Sequence, residues 1–338
     1  MSFVFKENSP TKKKGWGNFF FLFMAPTPIP ESSPATDITQ TSKMTQSPSY
    51  FSSQTPDLRT GKIAFQGARG AFSDMSCRAV FKNMETVPCE SFEDAFQATL
   101  SRTTDLAMIP VDNSLAGRVA DVHHLLPTKN LFIIGEHFQP IQMCLLAVHG
   151  ASIEDLTDVH SHVHALPQCR KVIKELGLKP HIHADTAGAA AEVAEKGDKT
   201  QAAIASALAG EMYNLTVLRE GIQDIADNTT RFLILSRELQ SPPLGETDIL
   251  TSFFFEVRNI PAALYKALGG FATNGVQINK LESYIDPQFK VARFYAEILG
   301  NPAEKSVSMA LEELAFFAKN LKIMGIYPAH PFRNLTQR

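Results

Sequence analysis

The chain has 338 residues, 44% of them hydrophobic and 20% charged, which is the composition of a soluble globular protein with room for two compact domains and an added segment. A formal net charge of -3 leaves no basic footprint for nucleic acid. Cys77, Cys89, Cys144 and Cys169 form neither a CxxC pair nor a disulfide framework, and no apolar run approaches the roughly 20 residues of a membrane-spanning helix, so a cytoplasmic protein with reduced thiols is expected.

Residues 1–60 stand apart. Lys12, Lys13 and Lys14 precede the short apolar run Phe19 to Met24, and a Ser/Thr/Pro/Gln-rich stretch follows to about Thr60. The charge order is that of a secretory signal, but the run is short and no small-residue cleavage site follows. Such a segment offsets little of its ordering entropy, so disorder is expected. Initiation near Met44 is an equal reading of the same segment.

From Lys62 the pattern is regular. KIAFQG reads as a buried strand, ARGAFSDMSCRAVF as a turn and helix, and SFEDAFQATLSR as a helix opened by Ser91 and Asp94 in a capping-box arrangement. LAMIPV, Leu106 to Val111, is a second buried strand and runs into Asp112, Asn113 and Ser114. LLAVHG, DVHSH, ALPQCRKVIKEL, PHIHA, TAGAAAEVAEK, AAIAS and ALAGEMYNL continue the alternation, which argues for α/β layers with mainly parallel sheets. Ser241, Pro242, Pro243 and Gly245 mark a linker over 239–248. Beyond it TSFFFEV, PAALYKALGGFATN, VQINKLESYI, VARFYAEIL, PAEKSVSMALEELAFFAKNL and KIMGIY give the ferredoxin-like order βαββαβ.

Polar groups gather in the turns. In DNTTRFLIL, Asp227 to Leu235, the run Asn228, Thr229, Thr230 and Arg231 stands at the mouth of an apolar strand, where α/β proteins place anion and ligand sites. GARGAFS brings two glycines to a helix start, and Asn113 and Ser114 follow a strand directly, with Arg118 close behind. Each turn alone also reads as ordinary strand–helix punctuation. His160, His162 and His164 alternate, as do His181 and His183, so a zinc reading has to be weighed. No HExxH occurs, and no carboxylate or thiol stands at motif spacing, so Ser161 and His162 read better as groups at a strand–helix junction facing an anion. Thr186 stands at a further helix start, where a plain cap is the simpler reading.

Taken together, GARGAFSD, PVDNSLAGRV, HSHVHALPQC, AAIAS, IQDIADNTTRF and IPAALYKAL with KLESY resemble prephenate dehydratase with a C-terminal ACT regulatory domain, from about Lys62 to Pro331. The resemblance implies a two-lobed α/β catalytic domain over 61–238, like type II periplasmic binding proteins, with the active site in its cleft, and an ACT domain over 249–335. It places the catalytic threonine at Thr230 and substrate-binding groups at Arg231, Phe232, Asn113, Ser114, Ser161 and His162, to which Thr186 is added from its place at a helix start. Aspartate replaces the family's glutamate at Asp112, and Val163 and His164 replace its Pro-Gln. In the ACT part Ala262, Ala263 and Leu264 stand at the family's Gly-Ala-Leu, and Glu282, Ser283, Tyr284 and Ile285 at its Glu-Ser-Arg-Pro.

The implied reaction turns prephenate into phenylpyruvate with loss of carbon dioxide and water, needing no cofactor and no metal. Thr230 is expected to hydrogen-bond the departing hydroxyl, Arg231 to hold the pyruvyl carboxylate, and Asn113 and Ser114 to orient the ring. The resemblance further implies L-phenylalanine as effector, bound between paired ACT domains near Asn259, Ala262, Ala263, Leu264, Glu282 and Ser283, and hence a homodimer or homotetramer. Arogenate as substrate, or a non-catalytic amino-acid sensor, are the alternative readings. Neither nucleic acid nor membrane is expected as a partner.

Overall fold

The computed structural model describes residues 57–246, 248–285 and 292–335. The disorder expected of the N-terminal extension falls on residues that lie outside this range, except that strand β1 (Asp57–Gln66) starts before the expected boundary at residue 61. After β1 come α1 (Phe72–Val80), β2 (Phe81–Cys89), α2 (Phe92–Leu100), β3 (Leu106–Asn113), β4 (Gly117–Arg118), α3 (Ala120–Leu125) and β5 (Phe132–Pro140). The chain then crosses to a second lobe of β6 (Cys144–Ala147), β7 (Asp158–His162), α4 (Arg170–Glu175), β8 (Lys179–His183), α5 (Thr186–Lys196), β9 (Gln201–Ala205), α6 (Ala207–Met212) and β10 (Thr216–Arg219). It returns through β11 (Thr229–Ser236), which lies antiparallel between β5 and β3.

Each lobe is a mixed sheet. The first runs β5-β11-β3-β1-β2 with β1 parallel to β2 and β3; the second runs β10-β6-β9-β7-β8 with β7 parallel to β8 and β9. β11 in the first sheet and β6 in the second run antiparallel to both neighbours, so the sheets are less uniformly parallel than the alternation predicts. α1 stops at Val80 and Phe81 already belongs to β2, where the expected helix would have carried it along. The α2 cap is as expected: Ser91 Oγ accepts from the Asp94 N–H at 3.1 Å, and Asp94 Oδ2 accepts from the Ser91 N–H at 3.2 Å.

The C-terminal unit consists of β12 (Ile249–Val257), α7 (Ala263–Thr273), β13 (Ile278–Ile285), β14 (Ala292–Leu299), α8 (Lys305–Phe317), β15 (Ala318–Pro328) and the short α9 (Phe332–Leu335). Its antiparallel sheet, β13-β14-β12-β15, has the ferredoxin-like order, and α7 and α8 cover one face around Phe253, Phe255 and Phe271. β15 meets β5 in parallel at Gly325 and Ile133, which joins this sheet to that of the first lobe. A Cβ at Gly325 would fall 2.2 Å from the Ile133 carbonyl oxygen, so only glycine permits the approach.

β11 feeds two cores because successive side chains leave opposite faces of a strand. Phe232 and Ile234 pack with Ile63, Phe65 and Met108 on one face. Leu233 and Leu235 pack with Ala64, Ala107 and Ile109 on the other, in a core that continues into Leu250, Tyr295, Met324 and Tyr327 of the C-terminal unit. Each large side chain so buried stabilises the fold by roughly 1.5–3 kcal/mol. No helix among the described residues is long and apolar enough to cross a membrane.

Candidate active site

β1 and β3 end at the same edge of the first-lobe sheet, and β11 begins there, pairing Thr230 with Asn113. This is the edge at which open α/β sheets bind ligands. Pairing slips beside it: Arg231 faces Asp112, but Phe232 faces Pro110, which leaves Val111 as the extra residue of a bulge.

Asn113 organises this corner. Its Nδ2 donates to Thr230 Oγ1 at 2.9 Å and to Asn228 Oδ1 at 2.7 Å, while its Oδ1 accepts from the N–H groups of Leu115 and Ala116 at 3.0 and 2.8 Å. Every polar group of the amide is therefore used, and its orientation is fixed. Because Thr230 Oγ1 accepts from Asn113, its own proton is left to be given away. Ser114 Oγ donates to the Asp227 carbonyl at 3.1 Å and accepts from the Thr229 N–H at 3.0 Å, so it fastens the turn. Asn228, 2% exposed, donates to Gln168 Oε1 at 2.7 Å and so reaches the second lobe. Neither Asn228's side-chain role nor Gln168 was expected from the sequence, since amide pairs across distant turns leave no local pattern.

Arg231 is not beside Thr230 in a crevice. Strand alternation turns it to the opposite face of β11, where it is buried. Its Nε donates to Glu136 Oε2 at 2.7 Å, one Nη to Glu297 Oε1 at 2.7 Å and to the Tyr327 hydroxyl at 3.3 Å, and the other Nη to Asp112 Oδ2 at 3.4 Å. Arg333 closes the network from α9, with contacts of 2.6 and 2.8 Å to Glu136 and 2.9 Å to Glu297. Burial would raise the Glu297 carboxyl, but the Arg231 and Arg333 guanidinium charges overcome it and hold it down at about 2. Glu136 is displaced downward by the same balance. Two cations facing two fully buried anions make a neutral cluster, which leaves Arg231 no charge to spend on a ligand. The signal for this cluster was Glu297, a carboxylate inside the apolar run FYAEIL, where a charge survives only when paired.

Other expected site residues divide. Phe232 is 2% exposed in the core and faces no cleft. Ser161 is fully buried, and its hydroxyl donates to the Ile204 carbonyl at 2.6 Å rather than outward. His162 stands at the end of β7 as expected, and its Nδ1 accepts from the His164 N–H at 3.3 Å. Burial, then the neighbouring His164, lowers its pKa. Thr186 opens α5, but the cap is Asp185, whose Oδ1 accepts from the Gly188 N–H at 2.7 Å. The lobes also meet at the loop after β1: Ser206 Oγ donates to the Gly70 carbonyl at 2.5 Å and the Tyr213 hydroxyl to the Arg69 carbonyl at 2.9 Å.

Residues 63–240, β1 to past β11, match the family model described as prephenate dehydratase. The chain belongs to the prephenate dehydratase family. It is 46% identical over 272 residues to a bifunctional N-acyl-homoserine lactone acylase/prephenate dehydratase of Komagataeibacter europaeus, covering 80% of this chain and 97% of that one. It is 38% identical over 284 residues to arogenate dehydratase/prephenate dehydratase 2, chloroplastic, of Arabidopsis thaliana, covering 79% of this chain and 72% of that one. Among solved structures it resembles GqqA, described as a novel type of quorum quenching acylases, with a TM-score of 0.76 and 45% identity over 80% of this chain and 99% of that one. It also resembles the prephenate dehydratase of Arthrobacter aurescens in complex with L-Phe, with a TM-score of 0.72 and 27% identity over 79% and 89% of the two chains. The family is one of aromatic amino acid biosynthesis, and its two-lobed, periplasmic-binding-protein-like α/β fold is the fold seen here.

In this member of the family the expected effector residues fall into two groups within one chain. Asn259, Ala262, Ala263 and Leu264 lie between β12 and the first turn of α7; Glu282 and Ser283 lie on β13, and β14 separates the two strands. Ser283 is exposed, whereas Glu282 is engaged toward the first lobe. Tyr284, at the position of the family's arginine, donates to Glu282 Oε2 at 2.6 Å and meets His123 Nδ1 at 2.6 Å. Burial depresses the His123 pKa and Glu282 partly offsets this. Asp112, His123 and Glu282 cluster at ligand distance, but Lys280 Nζ already sits 2.7 Å from Asp112 Oδ1 and 3.1 Å from Glu282 Oε1. An ammonium and a tyrosyl hydroxyl thus fill the space a cation would need, and the donor set does not fit a metal.

Proposed function

We propose that the chain is a lyase that converts prephenate to phenylpyruvate, with arogenate as the alternative substrate. The observation that carries the reading is the Asn113–Thr230 hydrogen bond, in which the threonine oxygen accepts and its proton is left for another acceptor. As the ring carboxylate departs as carbon dioxide, its electron pair moves through the diene and expels the ring hydroxyl. One proton, supplied from solvent, completes water, and the balance is prephenate dianion plus a proton giving phenylpyruvate, carbon dioxide and water. Thr230 contributes a hydrogen bond that strengthens as charge grows on the leaving oxygen. The carboxylate that leaves is held loosely, because gripping it in the ground state would raise the barrier. Asn113 and Ser114 fix the corner, and Arg231 serves by holding β11 in place.

The C-terminal unit is read as an ACT domain that binds L-phenylalanine between paired copies, so a homodimer or homotetramer in the cytoplasm is the working assembly. Support comes from its ferredoxin-like order and from the Arthrobacter aurescens relative described in complex with L-Phe. Phenylalanine then acts by binding one cleft state better than the other. A monomer by light scattering, or no calorimetric response to phenylalanine, would remove this part.

The deciding assay is phenylpyruvate formation by the purified chain, read by absorbance in alkali and run in parallel with arogenate. Thr230→Ala should lose about 10²–10³ in kcat and Thr230→Ser should keep part of it. A Thr230→Ala variant at near wild-type rate takes Thr230 out of the mechanism. Turnover of neither substrate, with amino-acid binding intact, selects the sensor. A second activity is worth one arm of the assay, because the Komagataeibacter europaeus relative carries N-acyl-homoserine lactone acylase in its name. Release of the free fatty acid from an N-acyl-homoserine lactone would establish it.

A further inference from the structure

We propose that Arg69, in the loop between β1 and α1, supplies the guanidinium that grips a carboxylate of the anionic substrate where the two lobes meet. The inference rests on the dehydratase reading for its substrate. The need for such a group follows from the site: the Thr230 corner is built of neutral donors from Asn113, Ser114, Asn228 and Gln168, and Arg231 is neutralised by Glu136 and Glu297. A dianion bound there would lack a cation.

The Arg69 backbone is held by both lobes. Gly70 follows with a φ of +84°, a conformation that favours glycine, and a Cβ on it would lie 2.8 Å from Ala209 Cα in the second lobe. The Gly70 N–H donates to Asp74 Oδ2 at 2.8 Å, and the carbonyls of Gly70 and Arg69 take the hydroxyls of Ser206 and Tyr213. The side chain, in contrast, is exposed and forms no ion pair among the described residues. The nearby carboxylates are committed elsewhere: Asp74 to the Gly70 N–H and Arg78, Asp185 to the α5 cap. Arg69 and Asp185 both act on the Tyr213 phenol, which burial raises. Two other cations near this edge are engaged: Arg118 lies over the Tyr284 ring at 5.4 Å, and Lys171 Nζ donates to the Asp224 carbonyl at 3.3 Å. A fixed backbone carrying an unpaired planar fork is suited to capturing a carboxylate.

The test is steady-state kinetics of Arg69→Gln, Arg69→Lys and Arg170→Gln with prephenate, beside calorimetric binding of prephenate and thermal melts. Arg69→Gln should raise KM about tenfold to a hundredfold while kcat stays within a few-fold, and Arg69→Lys should recover part of the loss. Its melting temperature should not move, and Arg170→Gln, two residues from Gln168 at the exposed start of α4, should leave KM unchanged. A KM for Arg69→Gln within about twofold of wild type overturns the proposal, as does a loss that follows Arg170 instead. Should wild type turn over neither prephenate nor arogenate, the dehydratase reading falls by itself. Equal prephenate affinity of wild type and Arg69→Gln by calorimetry would then reject Arg69 as the carboxylate ligand, and a weakened variant would uphold it.

Discussion

Lys280 Nζ lies 2.7 Å from Asp112 Oδ1, so a residue of β13 in the C-terminal unit holds the residue immediately before Asn113. On one side of β3, Asp112 answers to Lys280; on the other, Asn113 sets the Thr230 hydroxyl. A shift of β13 therefore reaches the catalytic corner through a single peptide unit. Among the described residues, Lys280→Met leaves the Asp112 carboxylate with the 3.4 Å contact to Arg231 alone and leaves Glu282 facing it with no ammonium between them. The variant should melt lower, and its midpoint for phenylalanine inhibition should move by about tenfold, within the range of ordinary coupling energies. An unchanged midpoint beside an unchanged melt would show that the contact transmits nothing.

Arg231 sets a sharper choice. As a buried partner of Glu136 and Glu297 it cannot be removed without leaving two buried carboxylates to share the Arg333 charge, and breaking such a pair costs about 3–5 kcal/mol. Arg231→Gln should thus show its main effect as lost urea stability rather than as a raised KM. Arg231→Lys should not restore it, because one ammonium cannot reach two carboxylates along different edges of a planar fork. A variant of wild-type stability with a raised KM would return Arg231 to the substrate.

How far the sequence carried is visible on β11. Alternating apolar residues after Arg231 marked the strand, and its polar mouth marked the site edge. The same alternation already required Thr230 and Arg231 to part, and it was outweighed by their adjacency in the motif. β2 and β5 were not legible: FKNMETVPC is polar at most positions on its exposed face, and FIIGEHFQP carries a glutamate, a histidine and a proline that dilute its apolar period. Missing β5 meant missing Glu136, and with it the reason Arg231 is unavailable. Burial of Ser161 and Phe232 was equally hidden, because a motif gives residue types and not the faces they occupy. The C-terminal βαββαβ order was readable since its strands are long and aromatic and both helices follow a proline, though α8 starts at Lys305 and ends at Phe317, short of the expected stretch at both ends.

The buried cluster makes the fold sensitive to acid. Glu297 has a folded value of about 2 against its ordinary 4.5, and Glu136 is displaced the same way. A carboxylate with a depressed folded pKa contributes stability that is complete above its unfolded value and lost as pH falls through the folded one. Urea stability should therefore decline steadily between pH 4.5 and 2, and Glu297→Gln should flatten part of that slope. A stability that stays level across this window would mean that folding leaves the carboxyl pKa values where they stand in the unfolded chain.

Gly325 joins the C-terminal sheet to the first lobe through its pairing with Ile133. In Gly325→Ala the new methyl would sit 2.2 Å from the Ile133 carbonyl oxygen and 2.7 Å from the Ile133 Cβ. Backbone on both strands cannot yield as a flexible side chain would, so the joint has to open. Overpacking of this kind costs typically 1–3 kcal/mol, about the size of a regulatory coupling. The ferredoxin-like unit has its own helix-covered core around Phe253, Phe255 and Phe271, so it should stay folded while the joint loosens. Amide exchange should then speed up around Ile133 on β5 and Gly325 on β15 and stay slow on β12 and β14. Faster exchange spread evenly through the C-terminal unit would instead mean that Gly325 supports that unit's own fold, and unchanged exchange at β5 would mean the joint tolerates a side chain.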